Sequence, residues 1–233
     1  LTHDKRFVRD AFASIAPRYD LLNTLLSLGV ESIWRRRVVS LLDAAEDEQV
    51  LDLCAGTLTV SRDIMNRSRR TPQVTAVDFC TEMLALGRSR LEGLEATRIR
   101  AVCGDAESLP LRSGKFDAAV VTYGIRNLAD VSQGLAELHR VLRPGGRLVI
   151  LDFLRPTLPG FAAFYRFYLK HVLPRIGGLI SGSRDAYKHL SDSIHGFMDP
   201  GELQRRLTAA GFDRVSLERR SFGIAGLFHA VRA

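Results

Sequence analysis

The sequence predicts an α/β fold: one open, mostly parallel, Rossmann-like seven-stranded sheet with a helical N-terminal cap and a helical insertion late in the chain. Two observations carry this. From Gln49 onward, short β-rich runs alternate with helix-length polar and apolar segments, the pattern of parallel strands joined by right-handed crossovers. The first four of those runs also lead into small, acidic or hydroxyl-bearing residues, the chemistry that open α/β sheets present to ligands along their carboxyl edge. With 233 residues, 46% hydrophobic and 25% charged, the chain has the proportions of one domain around a sizeable core.

Residues 8–42 read as helical, with Phe12, Ile15, Leu21, Leu22, Leu25 and Leu26 able to form an apolar stripe, and Pro17 and Gly29 cut the segment into short pieces. The strand runs are Gln49–Leu53, 73–77, Ile99–Cys103, Phe116–Thr122 and 147–153. Between them residues 60–67, 81–91 and 130–142 read as helices, with Thr81 as an N-cap. Arg143-Pro144-Gly145-Gly146 predicts a stop and turn. Residues 156–198 break the alternation with an aromatic-rich stretch placed where a substrate lid would insert. Residues 200–210 then return to helix, and 213–232 to two final strands. The expectation is a single domain, 1–233: helical cap 1–46, cofactor-binding core 47–154, substrate-lid insertion 155–198, and C-terminal helix and strands 199–233.

Lysine and arginine outnumber the acids by 33 to 26, and a formal charge of +7 favours anionic partners, beside the plainer reading of a soluble basic surface. No RNA-binding module accompanies that charge, so no nucleic-acid partner is expected. Cys54, Cys80 and Cys103 are far apart and odd in number, which argues for a reducing compartment. They lack metal-ligand spacing, so they read as apolar filler and no metal is expected. No apolar run reaches the roughly 18 residues that span a bilayer, and no signal-peptide region is evident, so the cytoplasm is the expected location.

The first strand passes through Asp52 into Cys54-Ala55-Gly56-Thr57, small residues that let backbone approach a ligand before a helix opens. Asp78 ends the second strand, where a carboxylate can accept both ribose hydroxyls or simply cap the next helix. Asp105 follows the third strand, able to take an adenine amine while Ala106 offers its N–H, and Thr122 ends the fourth. A dinucleotide would call for Gly-x-Gly-x-x-Gly around its pyrophosphate, which this turn lacks. S-adenosylmethionine has no phosphate and needs less glycine, so it is the expected cofactor.

More particular segments are Phe12-Ala13-Ser14-Ile15-Ala16-Pro17-Arg18-Tyr19-Asp20-Leu21-Leu22-Asn23, Tyr123-Gly124-Ile125-Arg126-Asn127 and Asp185-Ala186-Tyr187-Lys188-His189-Leu190. With these the chain resembles, over nearly its whole length, the UbiE/MenG/COQ5 family of quinone-biosynthesis C-methyltransferases. The resemblance implies a class I S-adenosylmethionine-dependent methyltransferase fold and methylation of a ring carbon on a prenylated quinol, demethylmenaquinol or a related benzoquinol. It implies cofactor contacts at Thr57, Asp78, Asp105, Ala106 and Thr122, with Tyr19 near the cofactor entrance; Asp52, Gly56 and Phe79 are further candidate contacts. A homodimer and peripheral contact with the inner face of the cell membrane are further expectations. The pattern departs at Gly56-Thr57-Leu58-Thr59, where the family reads Gly-Thr-Gly-Asp. If that backbone needs positive φ or close ligand approach, leucine costs roughly 1 kcal/mol or more, and weakened cofactor binding is expected unless Leu58 turns into the helix–sheet interface.

Methyl transfer needs alignment more than a strong acid, but a ring carbon attacks only after the neighbouring hydroxyl loses its proton. Arg126 is the candidate for stabilising phenolate, being too basic to accept a proton itself. Asp152, Tyr187 and His195 are candidate bases or orienting groups. The insertion from Phe161 to Leu173 mixes aromatic and basic residues, as a quinol channel, a bilayer-contacting segment or a packed core helix would.

Overall fold

The computed structural model describes residues 5–27, 29–68, 71–175 and 184–233, without the side chains of 22, 25, 26 and 184–188. Strands β1 (Gln49–Leu53), β2 (Gln73–Asp78), β3 (Ile99–Cys103), β4 (Phe116–Thr122), β5 (Leu142–Phe153), β6 (Phe212–Arg220) and β7 (Ala225–Arg232) form one sheet in the order β3-β2-β1-β4-β5-β7-β6. The first five are parallel, and the β6–β7 hairpin adds to β5 antiparallel. Strand β1 has β2 on one side and β4 on the other, so the chain order reverses there and a crevice opens at the strands' carboxyl ends.

Alternation along the strands divides the core into two layers. Ala119 and Val121 of β4 face one layer, with Leu135 and Leu138 of α7 (Val131–Val141) and Leu203 and Leu207 of the helix Pro200–Ala209. Ala118 and Val120 face the other, with Trp34, Val38 and Leu42 of α3 (Val30–Leu42) and Ile64 of α4 (Thr59–Arg67). Both faces of the central strands are therefore covered, which is why they read as nearly continuous apolar runs. Side-chain caps start two of these helices: Asp130 accepts from Gln133 N–H, and Asp199, ahead of Pro200, accepts from Gly201 N–H.

The predicted helix 81–91 is shorter, α5 (Thr81–Arg88), with Cys80 rather than Thr81 at the N-cap position and no side-chain cap, and a separate α6 (Gly93–Arg98) follows. Gly93 adopts φ +53°, a break that apolar periodicity does not register. The Arg-Pro-Gly-Gly segment is not a turn before β5 but an excursion within it: Phe116 pairs with Leu142, and Ala118 already pairs with Arg147. The intervening residues bulge outward around Gly145 at φ +76°. At the N-terminus, α1 (Lys5–Ile15), the short turn Ala16–Arg18, α2 (Tyr19–Leu26) and α3 lie beside the crevice, and Gly29 at φ +76° makes the corner between α2 and α3. The insertion contributes α8 (Pro159–Phe167), a π turn (Tyr168–Val172) and α9 (Arg184–Gly196). Among the described residues no helix is long and apolar enough to cross a membrane.

Asp52 corrects one expectation. Its side chain is fully buried behind β1, where Oδ2 accepts from the Ser61 hydroxyl at 2.6 Å and Oδ1 has no partner, so it does not reach the crevice. Burial pushes its pKa up to about 7, against the opposing Ser61 hydrogen bond. The unfolded chain releases this proton near pH 4 and the folded chain only near 7, so between those values the native state holds more protons and stability falls as pH rises, by on the order of 4 kcal/mol. Asp52→Asn removes that loss. The difference in melting temperature between variant and native chain should therefore grow from pH 5 to pH 8, and a constant difference would show that Asp52 is ionised throughout.

Candidate active site

Two cavities meet at the carboxyl edge of the sheet. The first is lined by the ends of β1, β2, β3 and β4: Gly56, Asp78, Phe79, Asp105, Ala106 and Thr122 are on its wall, with Tyr19 closing it from α2. The sheet thus brings together seven of the nine positions expected to touch the cofactor. Asp78 is almost fully buried and shapes the floor. Its Oδ2 accepts from Gly56 N–H and its Oδ1 from Cys80 N–H, both at 2.8 Å, leaving each oxygen a further lone pair for a ligand hydroxyl. Burial raises its pKa against those backbone hydrogen bonds. Gly56 adopts φ +53°, and a Cβ built there would have only the Met83 terminus near it, at 3.9 Å. Asp105 and Glu107 both pair with Lys5 of α1, at 2.7 and 2.8 Å. Burial opposes the Asp105 charge, but Lys5 and the Glu107 N–H hold its carboxyl below the usual range.

Thr57 has its hydroxyl engaged within the protein. Its hydroxyl donates to Asp20 Oδ1 at 2.6 Å, and Thr59 donates to the same oxygen at 3.1 Å. Thr57 therefore ties the turn to α2 instead of facing the cavity. Asp20, further paired with Arg90 at 2.5 Å, also brings a carboxylate to the turn that lacks one at position 59.

Leu58 resolves the departure from the family pattern. The backbone there is left-handed, φ 61° and ψ 18°, so the conformational cost stands. The helix nonetheless begins at Thr59, one residue earlier than predicted, and the Leu58 side chain is wholly buried in the helix–sheet layer rather than on the cavity wall. Gly87 of α5 makes its room, since a Cβ at that glycine would lie 2.5 Å from Leu58 Cγ. Leu58→Gly is accordingly expected to destabilise the fold by about 2 kcal/mol, cavity loss outweighing the relieved backbone, while cofactor affinity changes by less than about threefold. Thermal unfolding and calorimetric titration measure the two separately.

The second cavity, of about 880 Å³, lies between α1–α3 and the insertion. Its wall is largely apolar, including Phe153, Phe161, Tyr165, Leu169 and Leu173, with Glu31, Asn23 and Arg126 among its polar residues. Phe12, Tyr19, Tyr123 and Asn127 line both cavities and mark their junction. Tyr123 stacks on Phe153 with centroids 4.9 Å apart, and the Arg126 guanidinium lies over the same ring at 5.2 Å. Burial pushes the Tyr19 hydroxyl up to about 12, so it stays protonated and acts as a donor. Tyr123 Oη and Asn127 Oδ1 are buried without a hydrogen-bond partner. Native interiors rarely leave such atoms unpaired.

Arg126 is held from three directions: it pairs with Asp152, donates from Nη1 to the Tyr123 carbonyl at 2.7 Å, and donates from Nε to Ser193 at 3.3 Å. Asp152 lies beneath it, fully buried and off the cavity wall, where it pairs with Arg126 and accepts from Phe153 N–H. His195 is likewise off the wall, its Nδ1 on the Ser191 carbonyl at 2.8 Å. The Tyr187 side chain lies outside the described residues. Sequence reasoning does not single out Glu31 or Asn127, although Asn127 stands inside a family segment and directly follows Arg126.

This sheet order, with its antiparallel last hairpin and a crevice at the strand ends lined by acids and small residues, defines a class I S-adenosylmethionine-dependent methyltransferase. The same fold occurs in a SAM-dependent methyltransferase of Thermotoga maritima, with a TM-score of 0.69 at 17% identity over 97% of this chain and 100% of that one. It occurs also in a Haemonchus contortus phosphoethanolamine N-methyltransferase 2 complexed with S-adenosyl-L-methionine, with a TM-score of 0.61 at 15% identity over 81% of this chain and 49% of that one. The chain matches the ubiE/COQ5 methyltransferase family over residues 1–232 and belongs to it. It is 45% identical over 223 residues to the demethylmenaquinone methyltransferase of Deinococcus radiodurans, covering 95% of this chain and 90% of the relative. It is 41% identical over 229 residues to the ubiquinone/menaquinone biosynthesis C-methyltransferase UbiE of Geobacter sulfurreducens, covering 98% and 89%. The family places it among the SAM-dependent methyltransferases of quinone biosynthesis.

Proposed function

We propose that this chain methylates a ring carbon of demethylmenaquinol, yielding menaquinol, with the quinol ring at the junction of the two cavities and the prenyl tail in the larger one. The observation that carries the reading is the shared wall of Phe12, Tyr19, Tyr123 and Asn127, which joins a nucleoside-compatible crevice to an apolar space of about 880 Å³. The crevice fits S-adenosylmethionine: Asp78 keeps lone pairs for ribose hydroxyls, Gly56 leaves space for close approach, and Asp105 with the Ala106 backbone suits an adenine edge. That cofactor, when bound, supplies a methyl group on a positively charged sulfur.

Arg126 lowers the cost of ionising the quinol hydroxyl, because a guanidinium at low dielectric favours phenolate over phenol; the hydroxyl proton passes to solvent water as the ring enters, and the ring proton displaced by the methyl group leaves to water after transfer. Phenolate in turn raises electron density on the ring carbon. Tyr123 and Asn127, which line both cavities, flank the ring at the junction. The aromatic wall excludes water, so that alignment rather than acid strength sets the rate. A substrate with such a tail resides in the bilayer, which puts the enzyme in the cytoplasm as a peripheral protein at the inner face of the membrane. Incubation with isotopically labelled S-adenosylmethionine and short-tailed demethylmenaquinol, followed by mass measurement, should yield one labelled methyl on the naphthoquinol ring. Transfer only to a demethylated benzoquinol would replace the proposed substrate, and transfer to neither would reject the reading.

A further inference from the structure

Among the described residues, three large apolar side chains stand exposed beside the larger cavity. Phe222 is 77% exposed, Phe164 64% and Leu158 58%. Phe161 joins the two phenylalanines into one patch, with its ring centroid 5.4 Å from Phe222 and 6.5 Å from Phe164, and Leu158 precedes it by three residues at the start of α8. Phe161, Phe164 and Phe222 also line the cavity, so the patch is the rim of the opening rather than a separate surface.

The turn that presents Phe222 is held in a demanding conformation. Ser221, Phe222 and Gly223 all have positive φ, at 48°, 55° and 87°, and the first two are not glycine. Trp34 Nε1 donates to Ser221 Oγ at 3.1 Å, and Leu154 N–H donates to the Ile224 carbonyl at 2.7 Å, so the turn is fixed on both sides. A rigid, left-handed turn that holds a phenyl ring out into solvent is unfavourable both in backbone and in hydration. Its charge surroundings are one-sided. From Phe153 to Arg175 the chain contains no aspartate or glutamate, and Arg155, Arg166 and Lys170 are exposed there. The exposed Arg219 guanidinium lies beside Gly223, and Gly223 itself lies against Pro156.

We propose that this rim docks on an anionic bilayer surface, with Phe222, Phe164 and Leu158 entering the interface and Arg155, Arg166 and Arg219 meeting lipid head groups. The inference rests on the reading of the larger cavity as the site of a prenylated substrate. Docking there lets the tail pass from bilayer to cavity without crossing water. Exposed aromatics combined with basic side chains are the composition that binds such interfaces, through apolar area and attraction to anionic lipid together.

The test is co-sedimentation of the full chain with phosphatidylcholine vesicles and with vesicles of equal parts phosphatidylcholine and phosphatidylglycerol. Binding is expected to the mixed vesicles and to weaken at high salt. Phe222→Ser and Leu158→Glu should each lower the partition coefficient at least about tenfold, the scale of withdrawing one large apolar side chain from a nonpolar phase. Leu158 lies off both cavity walls, so L158E should retain turnover of a water-soluble short-tailed quinol while losing turnover of a long-tailed quinol embedded in vesicles. Equal sedimentation with and without mixed vesicles overturns the proposal, as does binding that neither variant reduces. A dimer in light scattering that F222S dissociates, without vesicle binding, would assign the rim to a second copy of the chain and also overturn it. Failure to methylate the short-tailed quinol would reject the substrate reading and leave the vesicle result standing, so the two failures are distinct.

Discussion

Arg126→Gln is expected to abolish measurable turnover, with a loss of at least about a thousandfold in kcat, and to destabilise the fold by about 3–5 kcal/mol. The stability loss comes from Asp152. It is fully buried, and its Arg126 partner is the only cation bonded to it among the described residues, so a neutral side chain leaves an uncompensated carboxylate. The activity loss comes from the other end of the guanidinium, which lies on the cavity wall beside the junction. The two effects separate in the double variant Arg126→Gln with Asp152→Asn. Both charges are then absent, so most of the stability should return while turnover does not. Thermal unfolding and single-turnover kinetics on the three variants measure this. Recovery of turnover in the double variant would show that Arg126 serves only to neutralise Asp152.

Asp78→Asn should weaken S-adenosylmethionine binding by about thirty- to a hundredfold, which corresponds to about 2–3 kcal/mol. The carboxylate accepts from two backbone N–H groups with its two oxygens. An amide can accept with only one, and its NH₂ would face the remaining N–H. The turn at Gly56 would therefore loosen as the acceptor proposed for the ribose is lost, and the two effects act in the same direction. Calorimetric titration reads the affinity. A change below about threefold would move the nucleoside site away from the end of β2. Comparison with Leu58→Gly sharpens the reading, since that substitution alters the same turn from the side facing the core and should leave affinity nearly unchanged.

The strands and their carboxyl ends were legible because they are local. β1, β3 and β4 occupy the predicted residues, and Asp78, Asp105 and Thr122 stand on the crevice wall because a strand's last side chains fall at the sheet edge wherever the strand pairs. Asp52 and Thr57 belong to the same motif yet point elsewhere. One residue of register separates a cavity wall from a core layer, and a hydroxyl with a nearby carboxylate forms that bond before it meets a ligand. Leu58 could not be placed from its own identity, since its side chain fits only because Gly87, on the next helix, lacks a Cβ.

The order of residues alone determined the class of fold, the edge of the sheet where the cofactor belongs and the family, because strand alternation and short motifs are written in neighbouring positions. Tertiary structure decided what closes that edge: Lys5 on Asp105, Asp20 on Thr57, Asp152 under Arg126, and the aromatic rim that pairs the insertion with the last hairpin. Each of these joins residues from different elements, most of them far apart in the chain. Such contacts exist only once the apolar layers have fixed where every helix lies, and no local pattern encodes them.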